Sequence, residues 1–135
     1  RRLDVEALYT ELRRTLRHGA RASRLVRFTP ELVELLLPSE ANPDATIYER
    51  AIQAEGIVRE ALERIGGPEA EALSILLCLK PGTTGMTLEA RRQRAGAVLG
   101  IQPGTMRRER HEGLLVWDLG MEVYGIVTGG DHQVS

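Results

Sequence analysis

Apolar residues recur every three or four positions along most of the chain, and Gly or Pro interrupts this pattern at intervals. The spacing places the apolar residues on one face of an α-helix, and the interruptions mark helix ends. We therefore expect helices over about 3–17, 32–37, 45–65, 69–79, 87–99 and 106–124. Residues 20–28 could form a short helix or a basic loop, and the β-branched residues in 123–127 could be a helix end or a short strand. The sequence predicts an all-α fold, a compact multi-helix domain of about six helices.

The 135 residues provide enough chain for one domain. We expect one compact unit with an N-terminal helical support region (1–67), a helix-turn-helix-containing helical region (68–127) and a flexible tail (128–135). The chain starts without Met and without an apolar leader, which suggests a piece of a longer protein. Since no apolar run approaches the 18 residues of a membrane span, we expect a cytoplasmic protein that does not bind membranes.

Residues suited to catalysis or metal binding are few and show no useful spacing. The single cysteine, Cys78, excludes an internal disulfide and a Cys-based zinc site, and its apolar surroundings favour an inert buried thiol. The three histidines are scattered without ligand spacing, and no Ser/His/Asp arrangement or Gly-rich phosphate loop is present. Aromatic residues make up only 4%, too few for a stacking platform that binds single-stranded nucleic acid. We expect a non-enzymatic domain without cofactor or metal.

The net charge of −1 hides a segregation of charge along the chain. Residues 1–28 carry eight Arg and three acidic residues, whereas residues 29–79 carry three Arg and ten acidic residues. Residues 80–113 are basic again, and residues 114–135 are acidic. The excess of Arg over Lys fits codon bias in a GC-rich genome, and Arg also suits phosphate and base-edge contacts. Codon bias does not explain the clustering.

The stretch 88–110 has the residue pattern of a helix-turn-helix. The small residue Gly96 would let a second helix cross close to the first, and Gly100 can adopt the left-handed conformation that reverses the chain. Thr105 is a candidate cap for the second helix. Gln102 stands where a short polar residue usually caps this helix, which departs from the usual pattern.

In such a motif, the N-terminal part of the second helix lies in the major groove of DNA. The candidate DNA-binding residues are Arg91, Arg92, Arg94, Gln102, Gly104, Arg107, Arg108 and His111. Arg107 or Arg108 could bind a guanine edge bidentately, and Gln102 could bind an adenine. The three Arg residues of the preceding helix would contact phosphates. The sequence therefore predicts binding to double-stranded DNA, by a transcriptional regulator or by the DNA-binding part of a larger bacterial protein.

A wider stretch resembles a known kind of domain. The segment LKPGTTGMTLEARR at 79–92, the motif that follows it and RERHEGLL at 108–115 are similar to a helical domain common in uncharacterised actinobacterial proteins. In those proteins a helix-turn-helix-like half lies beneath an N-terminal helical half and is often joined to another domain. The resemblance covers about residues 3–125 and implies a fold and a bacterial source rather than an activity.

The same features allow an alternative, a protein-interaction or oligomerisation module that forms a homodimer or binds a partner domain. The arginines of 88–110 could be a solvated face, paired with Glu89, Glu109 and Glu112. The N-terminal arginines, at 13, 14, 17, 21, 24 and 27, could form a second phosphate-facing stripe or dock against the acidic middle helices. We expect Trp117 to be a core anchor, or part of a dimer surface if the last helix is only partly covered.

Overall fold

Seven α-helices follow one another in the part of the chain that the computed structural model describes, residues 2–102 and 109–129. They are α1 (Val5–His18), α2 (Ala22–Phe28), α3 (Pro30–Leu36), α4 (Ile47–Ile65), α5 (Gly67–Leu76), α6 (Leu88–Val98) and α7 (Glu109–Gly129). No strand occurs among these residues, so the all-α prediction is confirmed for them. The ambiguous stretch 20–28 forms α2, and 123–127 continues α7 as helix.

Side-chain caps explain where several helices begin. Thr46 and Glu49 form a reciprocal capping box at the start of α4, in which each side chain binds the other residue's backbone N–H. The side chain of Thr87 accepts a hydrogen bond from the N–H of Ala90 at the start of α6. Each cap satisfies backbone donors that the first turn of a helix leaves unpaired.

The core lies where α4 and α7 meet the other helices. α7 packs against α4 and α1, while α4 also packs against α2, α3 and α5. α6 packs mainly against α5. The fully buried core side chains include Leu8, Leu12, Leu25, Leu32, Val58, Leu73, Ile75, Leu76, Val116, Leu119 and Val123. Helices from both halves of the chain therefore share one core.

The ends of α1 and α5 meet at a close backbone junction. Gly19 has a φ of 95° and a ψ of 169°, a conformation essentially restricted to glycine. A Cβ atom at Gly19 would lie 2.8 Å from the Cβ of Cys78. Beside it, the N–H of Ala20 donates to the carbonyl of Leu77 at 2.8 Å, and the Nε of Arg21 donates to the carbonyl of Cys78 at 2.8 Å. This junction fixes the C-terminal ends of two helices next to each other.

Candidate functional site

α6 ends with Gly100 in the left-handed conformation that the sequence predicts. Gly100 adopts a φ of 71°, and the N–H of Ile101 donates to the carbonyl of Gly96 at 2.8 Å. This bond closes the last turn of α6. Residues 103–108, which carry the predicted start of the second helix, lie outside the described residues. The described α7 is packed against α1 and α4, so the structure confirms the turn and not the complete helix-turn-helix.

Arg91, a predicted phosphate contact, points into the protein. Arg91 is only 2% exposed. Its Nη1 donates to the carbonyl of Leu16 at 2.8 Å and to the carbonyl of Leu76, and its Nη2 donates to the carbonyl of Arg17 at 3.1 Å. The guanidinium therefore caps the C-terminal ends of α1 and α5, where the helix dipoles favour a positive charge. This placement leaves no guanidinium surface for a phosphate, which corrects the predicted role of Arg91.

Burial lowers the pKa of Arg91 from its ordinary value, because desolvation disfavours the charged form. The group nevertheless stays charged at neutral pH, since the pKa of Arg starts far above 7. The three carbonyls replace the water that this charge loses on burial.

Arg92 is committed to an ion pair across the fold. Its Nε and Nη2 donate to the two carboxylate oxygens of Glu112 at 2.7 and 2.9 Å. Glu112 lies on α7 and is fully buried. The hydrogen bonds from Arg92 to Glu112 raise the pKa of Arg92. The pair joins α6 to α7 rather than running along one helix, so it differs from the pairing at helical spacing that the sequence suggests.

The remaining predicted site residues have different positions. Arg94 and Gln102 are exposed, and the Nη1 of Arg94 lies 3.8 Å from the sulfur of Met86. His111 is half-buried, and its Nδ1 is buried without a hydrogen-bond partner among the described residues. Gly104, Arg107 and Arg108 lie outside the described part of the chain. The structure thus places Arg94 and Gln102 at the surface.

The acidic residues of the middle helices pair mainly with nearby cations. Arg59 binds Glu55 at 2.8 Å, Arg64 binds Glu60 at 2.9 Å, and Lys80 binds Glu71 at 2.9 Å. The N-terminal arginines take other contacts. Arg14 lies 4.0 Å from Glu11, whereas the guanidinium groups of Arg24 and Arg27 lie 5.9 and 5.2 Å from the ring centre of Phe28. The described ion pairs therefore do not dock the basic N-terminal stripe onto the acidic helices.

An open cleft of about 670 Å³ lies between the C-terminal half of α1, the junction of α2 and α3, and the first turns of α6 and α7. Its charged lining consists of Arg13, Arg14, Arg17, Arg92 and Glu112. Its other lining residues include Leu16, His18, Phe28, Thr29 and Leu88. The imidazole of His18 stacks on the ring of Phe28, with 3.6 Å between ring centres and 10° between planes. Arginines of α1 and α6 thus face one cleft, although they are far apart in the sequence.

His18 lies among cations. Its pKa is lowered from the ordinary value, first by burial and then by the positive charges of Arg17, Arg24, Arg91 and Arg27. A neutral imidazole is therefore favoured at neutral pH, so His18 contributes an aromatic face rather than a charge.

α7 leaves an apolar stripe uncovered. Leu114, Trp117 and Met121 are 62%, 39% and 46% exposed, and their spacing of three and four residues places them on one helix face. The ring of Tyr9 meets the ring of Trp117 edge to face, with 5.4 Å between centres. Trp117 is therefore not the buried core anchor of the first interpretation.

Within the described residues, no group of three or more His, Cys, Asp or Glu side chains could hold a metal ion. None of the helices described combines the length and the apolar character needed to cross a membrane. Comparisons with protein-family models, with curated proteins and with solved structures gave no match.

Proposed function

We propose that this chain binds double-stranded DNA, as a transcriptional regulator or as the DNA-binding part of a larger bacterial protein. The observation that carries the proposal is the turn after α6. Gly100 has a φ of 71°, and Arg94 and Gln102 on either side of it in the sequence are exposed. Arg107 and Arg108 follow shortly after Gln102 in the sequence. In helix-turn-helix proteins, residues around this turn reach base edges and phosphates. The proposal places the protein in the cytoplasm and gives it no catalytic step.

The positions of the arginines divide their proposed roles. Arg91 and Arg92 hold the domain together, so the phosphate contacts from α6 fall to Arg94. Arg107 and Arg108 are the proposed base contacts, because the guanidinium fork matches the O6 and N7 acceptors of guanine. The exposed Arg17, on the adjoining face of α1, offers further positive charge for a polyanion.

The test is binding to a short random-sequence duplex by fluorescence anisotropy, at low and at physiological salt. We expect affinity to fall steeply as salt increases, because each phosphate contact releases counterions. Arg94→Gln should reduce the slope of log affinity against log salt by about 0.9, the contribution of one phosphate contact. Arg107→Ala with Arg108→Ala should lower affinity and reduce the salt slope further, since on a random-sequence duplex both guanidinium groups would contact phosphates.

Arg59→Gln with Arg64→Gln is the matched control for the double variant. It removes the same charge from α4, where both arginines pair with glutamates one turn away. If control and double variant lose equal affinity, only net charge matters and the assigned interface is wrong. Absence of binding even at low salt would refute the DNA proposal altogether.

The apolar stripe of Leu114, Trp117 and Met121 favours a second candidate, a homodimerisation module. Exposed apolar residues at alternating spacings of four and three residues suit pairing with another helix of the same pattern. Arg110 precedes the stripe by four residues, and the exposed Asp118 lies beside it, so two antiparallel copies of α7 could place opposite charges near each other.

Light scattering over a concentration series tests this candidate. A dimer in the original chain and a monomer after Trp117→Glu would support it, with Ile52→Glu on the exposed face of α4 as control. A strict monomer at all concentrations would refute it.

A further inference from the structure

A groove of about 360 Å³ lies beside the apolar stripe of α7. It is formed between α1 and the first half of α7, and its lining consists of Tyr9, Arg110, Gly113, Leu114 and Trp117. Gly113 has no side chain, so a hollow remains between the ring of Tyr9 and the side chain of Leu114. The stripe and the groove therefore form one continuous apolar surface with a ridge and a hollow.

Tyr9, the α1 wall of the groove, is held by contacts within the chain. Its hydroxyl accepts a hydrogen bond from the Nη1 of Arg13 at 3.3 Å, and the guanidinium of Arg13 lies 5.9 Å from the ring centre. The same ring meets Trp117 edge to face. Tyr9 is therefore a fixed wall, and the space that a ligand or partner would fill lies over Gly113 rather than on an open aromatic face.

The stripe itself carries a side chain suited to this hollow. Trp117 is 39% exposed, and aromatic side chains dominate the buried centres of protein interfaces. Gly113 precedes Trp117 by one helical turn, so ridge and hollow are neighbours on the same helix face. A second copy of α7 that runs in the opposite direction can set its Trp117 over Gly113 and against Leu114. Two-fold symmetry then gives the first copy the same contact in return.

The charges at the stripe favour the antiparallel direction. Arg110 and Asp118 are exposed, and the ion pairs found in the described part of the chain involve neither of them. With Trp117 opposite Leu114 of the second copy, Arg110 lies opposite the second copy's Met121. Asp118 of that copy is then within one helical turn of Arg110. Parallel helices would instead place like charges beside each other, which is unfavourable.

We propose that two copies of this chain pair through antiparallel α7 helices, with Trp117 of each copy bound in the groove over Gly113 of the other. The inference rests on the homodimerisation proposed above, and it adds the register, the occupant of the groove and the charges that select the direction. Arg110 of each copy pairs with Asp118 of the other, so each dimer has two such contacts.

Disulfide formation between two cysteine variants measures the register. Arg110→Cys and Met121→Cys are prepared separately, one with a larger tag, and mixed before mild oxidation. We expect a disulfide between the two variants, because antiparallel copies place these positions opposite each other. Either variant alone should stay unlinked, since equal positions are about 16 Å apart along the helix axis and a disulfide allows only about 7 Å between Cα atoms. The original chain, with its buried Cys78, is the control.

Reversal of charge gives an independent readout. Asp118→Arg should weaken dimerisation about tenfold in a dilution series at low salt, because two favourable contacts in each dimer become repulsive. Adding Arg110→Asp to this variant should restore the affinity, since the exchanged charges pair again in the antiparallel register. Asp44→Arg makes the same change of charge at an exposed position before α4 and should leave dimerisation unchanged.

The outcomes distinguish this inference from the proposal on which it rests. If the original chain is monomeric at all concentrations, homodimerisation and the register are both refuted. If the chain is a dimer but Met121→Cys links to itself and not to Arg110→Cys, the helices are parallel and only the register is wrong. A dimer that forms neither kind of disulfide uses another surface and also overturns the inference. Circular dichroism of each variant confirms that the helices are intact.

Discussion

Replacement of Arg91 by Met tests the most unusual feature of the structure, a buried guanidinium that caps two helices. Met has a similar length and no charge, so the substitution removes the donors and keeps much of the volume. The carbonyls of Leu16, Leu76 and Arg17 would lose a charged donor, and such hydrogen bonds contribute about 1.5–3 kcal/mol each. The substitution also removes the free-energy cost of burying the charge, which offsets several kcal/mol of this loss. We expect a net loss of about 3–4 kcal/mol, a large part of the roughly 5–15 kcal/mol of a typical domain.

Urea unfolding, followed by circular dichroism and by Trp117 fluorescence, measures this loss. In a thermal unfolding experiment, the same loss of free energy should lower the melting temperature by about 10–15 °C for a domain of this size. Arg94→Met is the matched control on the same helix, and its exposed side chain should change stability by less than about 0.5 kcal/mol. If Arg91→Met remains within about 1 kcal/mol of the original chain, the guanidinium is not an essential helix cap and the reasoning is wrong.

Gly19→Ala should cost about 3 kcal/mol by urea unfolding, because it combines a backbone conformation restricted to glycine with a Cβ 2.8 Å from Cys78; an unchanged midpoint would contradict the close junction. Arg92→Gln should cost about 3 kcal/mol, since it leaves the fully buried carboxylate of Glu112 without its counter-ion, and a double-mutant cycle with Glu112→Gln should show coupling rather than additivity. The lowered pKa of His18 means that the folded state binds fewer protons than the unfolded state between that pKa and 6.5. Stability should therefore rise as pH increases through this window, and the rise should be smaller in His18→Gln when urea midpoints are compared at acidic and neutral pH.

Local patterns in the sequence account for most of the fold. Periodicity predicts the positions of α1, α4, α5 and α6, and Gly19 and Gly100 end helices where their residue type indicates. These features depend on residues within one or two turns of each other, which a single sequence displays directly. The short helix α2 was ambiguous because its arginines suit a helix and a loop equally.

The candidate site was less predictable, because it depends on contacts between distant residues. Arg91 and Arg92 are adjacent in the sequence, yet one caps carbonyls 74 and 75 positions away and the other pairs with Glu112. Nothing in the local pattern distinguishes these two arginines from the exposed Arg94. A helical wheel distinguishes the buried arginines of α6 from the exposed one only when the helix that packs against each face is known. The sequence does not show that α6 packs mainly against α5 rather than against α7.

The local arrangement of charge, rather than the net charge, decides what this protein can bind. The overall charge of −1 argues against a polyanion ligand if all charges act together. At physiological salt, however, exposed charges are screened beyond about 8 Å, so a surface is governed by its nearest groups. Glu55, Glu60 and Glu71 are neutralised by their own neighbours, whereas Arg94 is exposed on α6. A nearly neutral protein can therefore present a locally positive surface, and the DNA proposal depends on the charges at that surface rather than on the total.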